Sequence, residues 1–202
     1  YYVNDILYYA VKDSETSDSI WRYNIKSGRT EKLISGVYAN DGFYMTGQYI
    51  LYRKDGYVCT YSLAGGSNRQ VFSYLDMIGG YRMLLEGNYV YWAEADGIMR
   101  INYTLANSQP ACVYRGNYLY LHFLNTLDHQ LGFMGGDGTL YLLNTSSGQI
   151  WSAGFQLANI IHAADNGTGY YYFEAGYVWG CMIDGRGWAR VRYDGSGYEE
   201  FS

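Results

Sequence analysis

The chain has 202 residues, of which 49% are apolar, 19% aromatic and only 16% charged. This composition excludes a disordered segment, because the chain carries enough apolar surface to form a core. No apolar run approaches the roughly 20 residues that span a bilayer, and no basic start precedes an apolar signal-type stretch. Because no such run is present, we expect no membrane insertion. With a net charge of −5, the chain offers no general phosphate-neutralising surface, so we also expect no nucleic-acid partner.

In chain order, four segments show an alternating aromatic run that ends in a small, polar turn. They are residues 48–56, 88–97, 130–138 and, more loosely, 169–176. Three of these segments end in an Asp-Gly pair, which begins at residue 55, 96 and 137, a spacing of 41 residues each time. Asp-Gly between two alternating runs predicts a β-hairpin whose two turn residues both have positive φ.

Each turn is followed by another predicted strand, a second tight turn and a short closing strand. Strands at intervals of about 8 to 12 residues, with a repeat near 41, predict an all-β array of four-stranded units, which is typical of a β-propeller. The strands after the first turns are predicted at 20–25, 57–63, 98–103, 139–144 and 188–193, and the closing strands at 30–34, 69–72, 111–114, 149–151 and 198–201.

We predict one β-propeller domain over residues 1–202, made of about five four-stranded blades. The first blade is expected to be incomplete, because little chain precedes Tyr8 for an innermost strand. Three explanations stay open: a short stub, a strand supplied from elsewhere, or a piece of a larger propeller. We expect the 202 residues to be a segment of a longer protein. The repeat units are predicted at 1–36, 37–75, 76–116, 117–156 and 157–202.

The segment Tyr89-Val-Tyr-Trp-Ala-Glu94 resembles the repeat of the YWTD-type propellers of lipoprotein receptors, with Ala and Glu where that motif has Thr and Asp. Residues 96–101, 20–34 and 188–201 are similar to the rest of that repeat. Together these segments resemble the tyrosine-rich propeller repeats, a domain of unknown function, of exported proteins of Gram-positive bacteria. The resemblance implies an extracellular or cell-surface location and a propeller fold, and it implies no particular activity.

Neither the cysteines nor a second family resemblance predicts a cofactor. Cys59, Cys112 and Cys181 form no C-x-x-C pair, and each lies in an apolar stretch, where a cysteine usually behaves as a small buried side chain. A single disulfide is the alternative. Residues 136–151 are similar to the repeat of pyrroloquinoline-quinone-type propellers, but the similarity covers one unit and vicinal cysteines are absent from the sequence. We therefore expect no cofactor.

The innermost strand of each propeller blade lines the central channel, so polar residues there are candidates for binding. Arg82, His122 and His162 are 40 residues apart, which predicts equivalent positions on three consecutive inner strands. Asp165 and Asn40 are predicted close to the same level. These side chains are interpreted either as a site for an anionic or sugar ligand, with a metal held by His and Asp as a weaker variant, or as polar lining of the channel.

A carboxylate pair is the next candidate, because five-bladed propellers include enzymes that cleave glycosides. Such chemistry needs two carboxylates roughly 5 to 10 Å apart, and the sequence does not place any two at that separation. Glu86 and Asp128 are also typical turn residues, and no G-x-S-x-G motif is present. We therefore predict no catalytic residue, no metal and no enzyme. The carboxylates near the ends of inner strands are Asp41, Glu86, Asp128 and Asp165.

Most Trp and Tyr side chains are expected to pack between blades, where a large ring with a polar tip is useful. Residues 177–187 lengthen the last unit and carry Trp179 and Arg186, with Trp188 next. We interpret this segment either as a recognition loop or as an extra hairpin. The sequence predicts a monomeric, non-catalytic recognition or scaffold module for a protein partner, with carbohydrate binding as the first alternative and glycoside processing as the second.

Overall fold

The computed structural model of the chain is built from antiparallel β-sheets. Five four-stranded sheets form, and in each the strands lie side by side in chain order, which confirms the predicted all-β array of four-stranded units. The described part of the chain holds no helix of the length and apolarity needed to cross a bilayer. For residues 120–125, 134, 139–140, 153–156, 171–174, 178 and 181 the backbone alone is described. The structure describes residues 1–38, 42–75, 83–116, 120–125, 129–135, 139–156, 171–174, 176–181, 187–192 and 196–201.

The chain divides into two compact units, the first of which is Tyr1–Leu75. This unit holds the first two sheets. The first sheet has four strands, and its first strand is a two-residue stub, which is one of the explanations that the sequence left open. Its last strand ends at Tyr38, slightly beyond the predicted limit of the unit. The strands are β1 Tyr2–Val3, β2 Ile6–Lys12, β3 Ser17–Asn24 and β4 Arg29–Tyr38, then β5 Tyr44–Met45, β6 Tyr49–Lys54, β7 Tyr57–Ser62 and β8 Asn68–Ser73.

The core of the first unit lies between its two sheets. Ile20 on β3 and Ile50 on β6 are completely buried. Because successive side chains of a strand point to opposite faces, alternate apolar residues of each sheet face the other sheet. Their burial removes apolar area from water and so stabilises the pairing of the two sheets. The cluster is formed by Tyr8, Ile20, Ile34, Val37, Ile50, Tyr52 and Cys59.

The second unit, Asp76–Ser202, holds the third, fourth and fifth sheets. Its strands in the third sheet are β9 Leu84–Glu86, β10 Tyr89–Glu94, β11 Gly97–Asn102 and β12 Ala111–Arg115. The fourth sheet contains β13 Tyr120–Asn125, β14 Gln130–Met134, β15 Thr139–Asn144 and β16 Ile150–Gln156. The fifth contains β17 Tyr171–Glu174, β18 Tyr177–Cys181, β19 Trp188–Arg192 and β20 Glu199–Phe201.

Aromatic rings join the third and fourth sheets. Tyr114 on β12 lies 4.7 Å from Phe133 on β14, measured between ring centroids, and Phe133 stacks on Tyr141 of β15 at 5.5 Å. Such pairs add about 0.5–1.5 kcal/mol to the effect of burial alone. The rings adjoin a buried apolar cluster, which consists of Tyr91, Ala93, Ile98, Leu131, Phe133 and Leu143.

Of the three predicted Asp-Gly turns, one forms as expected. Asp55 and Gly56 have φ values of 52° and 83° and connect the paired residues Lys54 and Tyr57. At the second pair the prediction is wrong, because Glu94 pairs with Gly97 and the two-residue turn is Ala95-Asp96. The third pair, Asp137-Gly138, lies outside the described residues.

Gly97 is needed for close packing, not for a turn. A Cβ at this position would lie 2.7 Å from the carbonyl oxygen of Tyr114 and 3.0 Å from the sulfur of Cys112. Both neighbours belong to β12, which pairs with β11 through a register shift next to Ile98. A glycine at the start of β11 therefore lets β12 approach closely.

The second turn repeats the same hydrogen bonds in three sheets. The N–H of Ser27 donates to the side chain of Asn24 at 2.9 Å, and the N–H of Gly28 donates to its carbonyl oxygen at 2.9 Å. Asn144 accepts the same two bonds, from Ser147 and Gly148, each at 2.8 Å. In the second sheet, Ser62 takes the place of Asn. Each turn thus depends on a side-chain oxygen at the end of the strand and a left-handed glycine four residues later.

Replacing Gly97 with Ala is expected to lower the free energy of unfolding by about 1–3 kcal/mol, because the new methyl group collides with β12. Gly47→Ala is the matched control, since a Cβ at Gly47 meets nothing within 4 Å. Urea unfolding followed by tryptophan fluorescence measures both variants. Equal midpoints for the two variants would contradict the assigned role of Gly97.

Candidate functional site

Most of the predicted channel cluster lies outside the described residues. This applies to Arg82, His162, Asp165 and Asn40. His122 lies on β13, at the edge of the fourth sheet, between the paired residues Leu121 and Phe123, where the register shifts. Its backbone is described and its side chain is not. The channel cluster therefore stays a prediction.

Among the candidate carboxylates, Glu86 is described, while Asp41, Asp128 and Asp165 lie outside the described residues. Glu86 ends β9, and one of its oxygens lies 2.6 Å from Nδ1 of His129, the residue before β14. The carboxylate is 12% exposed and the imidazole 55%. Glu86 therefore contributes to the contact between the third and fourth sheets.

The first unit contains a groove of about 320 Å³ between its two sheets. The Tyr52 hydroxyl donates to Asn68 at 2.7 Å, and Lys54 Nζ donates to the carbonyl oxygen of Ser35 at 2.8 Å. Burial raises the pKa of Tyr52 well above its ordinary value and raises the pKa of the Cys59 thiol to about 11. Both groups are therefore neutral at pH 7, and neither supplies an ionised nucleophile.

The fifth sheet presents a surface that we call the aromatic-arginine face. Cross-strand pairing places its members on one side of the sheet, because Trp179 pairs with Arg190, which pairs with Glu199. On the other side of the sheet Ala189 and Val191 are buried. The face consists of Tyr177, Trp179, Trp188, Arg190, Arg192, Glu199 and Phe201.

Arg190 organises this face. Its Nη2 and Nε donate to one oxygen of Glu199 at 2.6 and 2.9 Å. The guanidinium carbon lies 4.5 Å from the ring of Tyr177, 5.1 Å from that of Trp179 and 5.2 Å from that of Phe201. Distances of this size favour attraction between the cation and the ring faces. One arginine therefore holds three aromatic side chains and one carboxylate in fixed positions.

The edges of the face are also ordered by contacts. Arg192 Nε donates to the hydroxyl of Tyr177 at 3.0 Å, and Trp179 stacks on Phe201 at 5.5 Å. Trp188 and Phe201 are cross-strand neighbours, exposed by 38% and 40%. The centre of the face is thus held by mutual contacts while two large apolar side chains remain accessible to a partner.

The interpretation of residues 177–187 as a loop is wrong for its first part. Trp179 lies on β18 and Trp188 on β19, the two central strands of the fifth sheet, and Arg186 lies outside the described residues. Tyr171–Glu174, from the segment that we grouped with the alternating runs before the first turns, forms the first strand of this sheet. The reason is that Tyr177–Cys181 itself alternates and continues the sheet.

Five of the seven members of the face were not singled out by sequence reasoning: Tyr177, Arg190, Arg192, Glu199 and Phe201. A signal for two of them exists, because the arginine and glutamate that pair are nine residues apart in both Arg22–Glu31 and Arg190–Glu199. In the first sheet a four-residue turn joins the third strand to the closing strand. This turn places Arg22 opposite Glu31, nine residues later in the chain. Phe201, at the end of the closing strand, carried no comparable signal.

The prediction that the cysteines are buried holds for Cys59 and is wrong for Cys112, which is exposed. Both are free thiols. Cys112 lies on the closing strand β12, and its thiol donates to the carbonyl oxygen of Tyr114 at 3.2 Å. The side chain of Cys181 is outside the described part.

Comparison with known proteins identifies a fold and no family. No family model and no curated protein matches the chain. Among solved structures, the computationally designed protein Ika8 is 15% identical with a TM-score of 0.54, over 98% of this chain and 58% of that chain. TolB from Acinetobacter baumannii is 13% identical with a TM-score of 0.52, over 93% of this chain and 51% of that one.

PorZ, a surface component of the type-IX secretion system of Porphyromonas gingivalis, is 11% identical with a TM-score of 0.58. It matches all of this chain over 25% of its own length. The chain therefore spans about half, or less, of the first structures that it resembles. The neighbours are β-propeller proteins, so the five sheets are blades of a β-propeller.

Iodoacetamide at pH 8 is expected to alkylate Cys112 at least tenfold faster than Cys59 in the native protein. With a pKa of about 11, roughly one Cys59 thiol in a thousand is ionised at pH 8, and the sulfur is buried as well. Peptide mapping by mass spectrometry measures both rates, with a urea-unfolded sample as control. Equal rates in the native protein would show that Cys59 is accessible.

Proposed function

We propose that this β-propeller is a non-catalytic recognition module that binds a protein partner through the aromatic-arginine face. The observation that carries the proposal is the pair Trp188 and Phe201, two large apolar side chains that lie next to each other and are exposed. Exposed apolar side chains that cluster on one surface commonly mark an interaction site.

The residue types of the face support a protein partner. Trp, Tyr and Arg are enriched among the residues that contribute most binding energy at protein interfaces, because they combine a large contact area with polar groups. The face contains Tyr177, Trp179, Trp188, Arg190 and Arg192 within one sheet. A partner that covers Trp188 and Phe201 would meet a surface made mainly of these residue types.

Rigidity favours the same conclusion. The double hydrogen bond between Arg190 and Glu199 and the stacking of Trp179 on Phe201 fix the rings before any partner arrives. A surface ordered in advance loses less conformational entropy on binding, so more of the contact energy appears as affinity.

We further propose that the protein is exported or displayed at a cell surface, and that it belongs with the tyrosine-rich repeats of Gram-positive bacteria that its sequence resembles. Compatible with this, the similar structures include a surface component, PorZ, and the extracellular domain of BT4673 from B. thetaiotaomicron. Carbohydrate binding is the alternative function, favoured by an exposed Trp beside an arginine-glutamate pair.

The double variant Trp188→Ala/Phe201→Ala is expected to lose binding to peptides that wild-type protein selects from a random 12-residue phage library. We expect at least tenfold weaker affinity, equivalent to about 1.4 kcal/mol or more, because two exposed anchors are removed. Biolayer interferometry with synthetic versions of the selected peptides gives the affinities.

Leu75→Ala/Leu105→Ala is the matched control, since it removes two other exposed apolar side chains. It should bind the selected peptides within twofold of wild type. Undiminished binding by the Trp188→Ala/Phe201→Ala variant would contradict the proposal. A glycan array on which binding depends on Trp188, without any peptide that does so, would favour the carbohydrate alternative.

A further inference from the structure

Three of the sheets carry an arginine at the same position of the third strand. Arg22 on β3, Arg100 on β11 and Arg190 on β19 each lie two residues before the end of the strand. Each pairs on one side with an aromatic residue of the second strand. The repeat therefore provides an internal comparison of one side chain in three surroundings.

In the first and fifth sheets the closing strand supplies a glutamate opposite this arginine. Arg22 Nη2 and Nε donate to one oxygen of Glu31 at 2.7 and 3.1 Å, and Arg190 makes the same pair of bonds with Glu199. The hydrogen bond with Glu31 also raises the pKa of Arg22. In both sheets the Nε and Nη2 groups of the arginine are therefore already hydrogen-bonded to a glutamate of the same sheet.

In the third sheet the residue opposite the arginine is Ala111, which has no carboxylate. The guanidinium of Arg100 lies 4.9 Å from the ring of Tyr89, and Arg100 pairs across the strands with Tyr91. Its side chain is half-buried, so this cation is partly removed from water, and no carboxylate of the described ranges lies in an ion pair with it.

Arg100 faces a groove of about 200 Å³ between the third and fourth sheets. Tyr91, Val113 and Leu143 form apolar walls, and the turn at 144–148 lies opposite with the hydroxyl groups of Ser146 and Ser147. The main chain of this turn is held by Asn144, whose side chain accepts from both serine N–H groups. The groove thus offers a positive charge, hydroxyl groups and apolar surface on a preformed frame.

Glu86 is a carboxylate on the same side of the third sheet, and its ion-pair contact is with His129, not with Arg100. Glu86 pairs with Tyr89 and acts on Tyr91 through its charge, but one of its oxygens is held by His129 at 2.6 Å. Tyr91 itself is neutral, since burial raises its pKa and the nearby Arg100 offsets only part of that rise.

We propose that the groove at Arg100 binds a small carboxylate ligand. The carboxylate of the ligand takes the position that Glu31 occupies beside Arg22 in the first sheet and Glu199 occupies beside Arg190 in the fifth. There it accepts charge-assisted hydrogen bonds from the guanidinium of Arg100. The volume is below the roughly 300–1,000 Å³ of sites for drug-sized ligands, which suits one acidic sugar ring or one acidic amino acid. This site is separate from the aromatic-arginine face and does not rest on the proposed function.

NMR titration of ¹⁵N-labelled protein tests the proposal, with the Arg Nε–H and backbone signals as the readout. The probes are D-glucuronate and N-acetyl-L-glutamate, and their uncharged partners are D-glucose and N-acetyl-L-glutamine. We expect at least one carboxylate to shift the signals of Arg100 and of residues 144–148, with at least tenfold higher affinity than its uncharged partner. The carboxylate that binds more tightly distinguishes a sugar acid from an amino acid.

Two variants should abolish this binding for different reasons. Arg100→Gln removes the cation, and Ala111→Glu installs the internal carboxylate of the first and fifth sheets at an exposed position. Both are expected to weaken binding at least tenfold, whereas Arg22→Gln leaves it within twofold. Backbone spectra that match wild type outside the groove verify folding. The proposal is overturned if neither carboxylate binds, if the uncharged partners bind equally well, or if Ala111→Glu binds as wild type does.

Discussion

A four-stranded sheet can bury its apolar side chains only against another sheet, and the rest of this structure depends on that constraint. In the first unit the buried contact between Ile20 and Ile50 joins two sheets, and in the second unit Phe133 does so between the third and fourth. Because strand residues alternate between faces, each sheet must present an apolar column at a fixed register. The grooves and the aromatic-arginine face occur where such columns give way to polar side chains.

Because the strands of different sheets pair in equivalent registers, residues that repeat in the sequence occupy equivalent positions in the sheets. Arg22, Arg100 and Arg190 share one position of the third strand, and the residue opposite on the closing strand decides what each arginine contacts. With a glutamate there, the guanidinium is tied to its own sheet. With Ala111 there, it faces a groove. A difference of one residue on an edge strand therefore separates a structural arginine from a candidate for binding.

Local patterns predicted most strands of this fold, because the alternation of apolar residues and the turn residues act over short distances. These predictions were wrong where contacts between residues far apart in the sequence determine the secondary structure. Gly97 has the sequence of a turn residue, but contact with Tyr114 across the sheet makes it a strand residue. Residues 169–176 match second strands by composition, yet the alternation of Tyr177–Cys181 takes that place. Trp179 was named as a candidate recognition residue without the strand that carries it, whereas Trp188 lies on a predicted strand, and Arg100 stood out only once Ala111 was known to lie opposite.

The energetics explain why such an arginine can exchange roles. Arg22 and Glu31 have side chains that are 36% and 51% exposed, and an exposed ion pair contributes only about 0–1 kcal/mol to stability. Loss of the glutamate therefore changes the fold little, since buried columns such as Ile20 and Ile34 hold the sheet. The released hydrogen-bond donors, in contrast, become available for charge-assisted hydrogen bonds to an external anion, as we propose for Arg100. In a repeat of this kind, we therefore expect a change on the closing strand to alter ligand binding more than it alters stability.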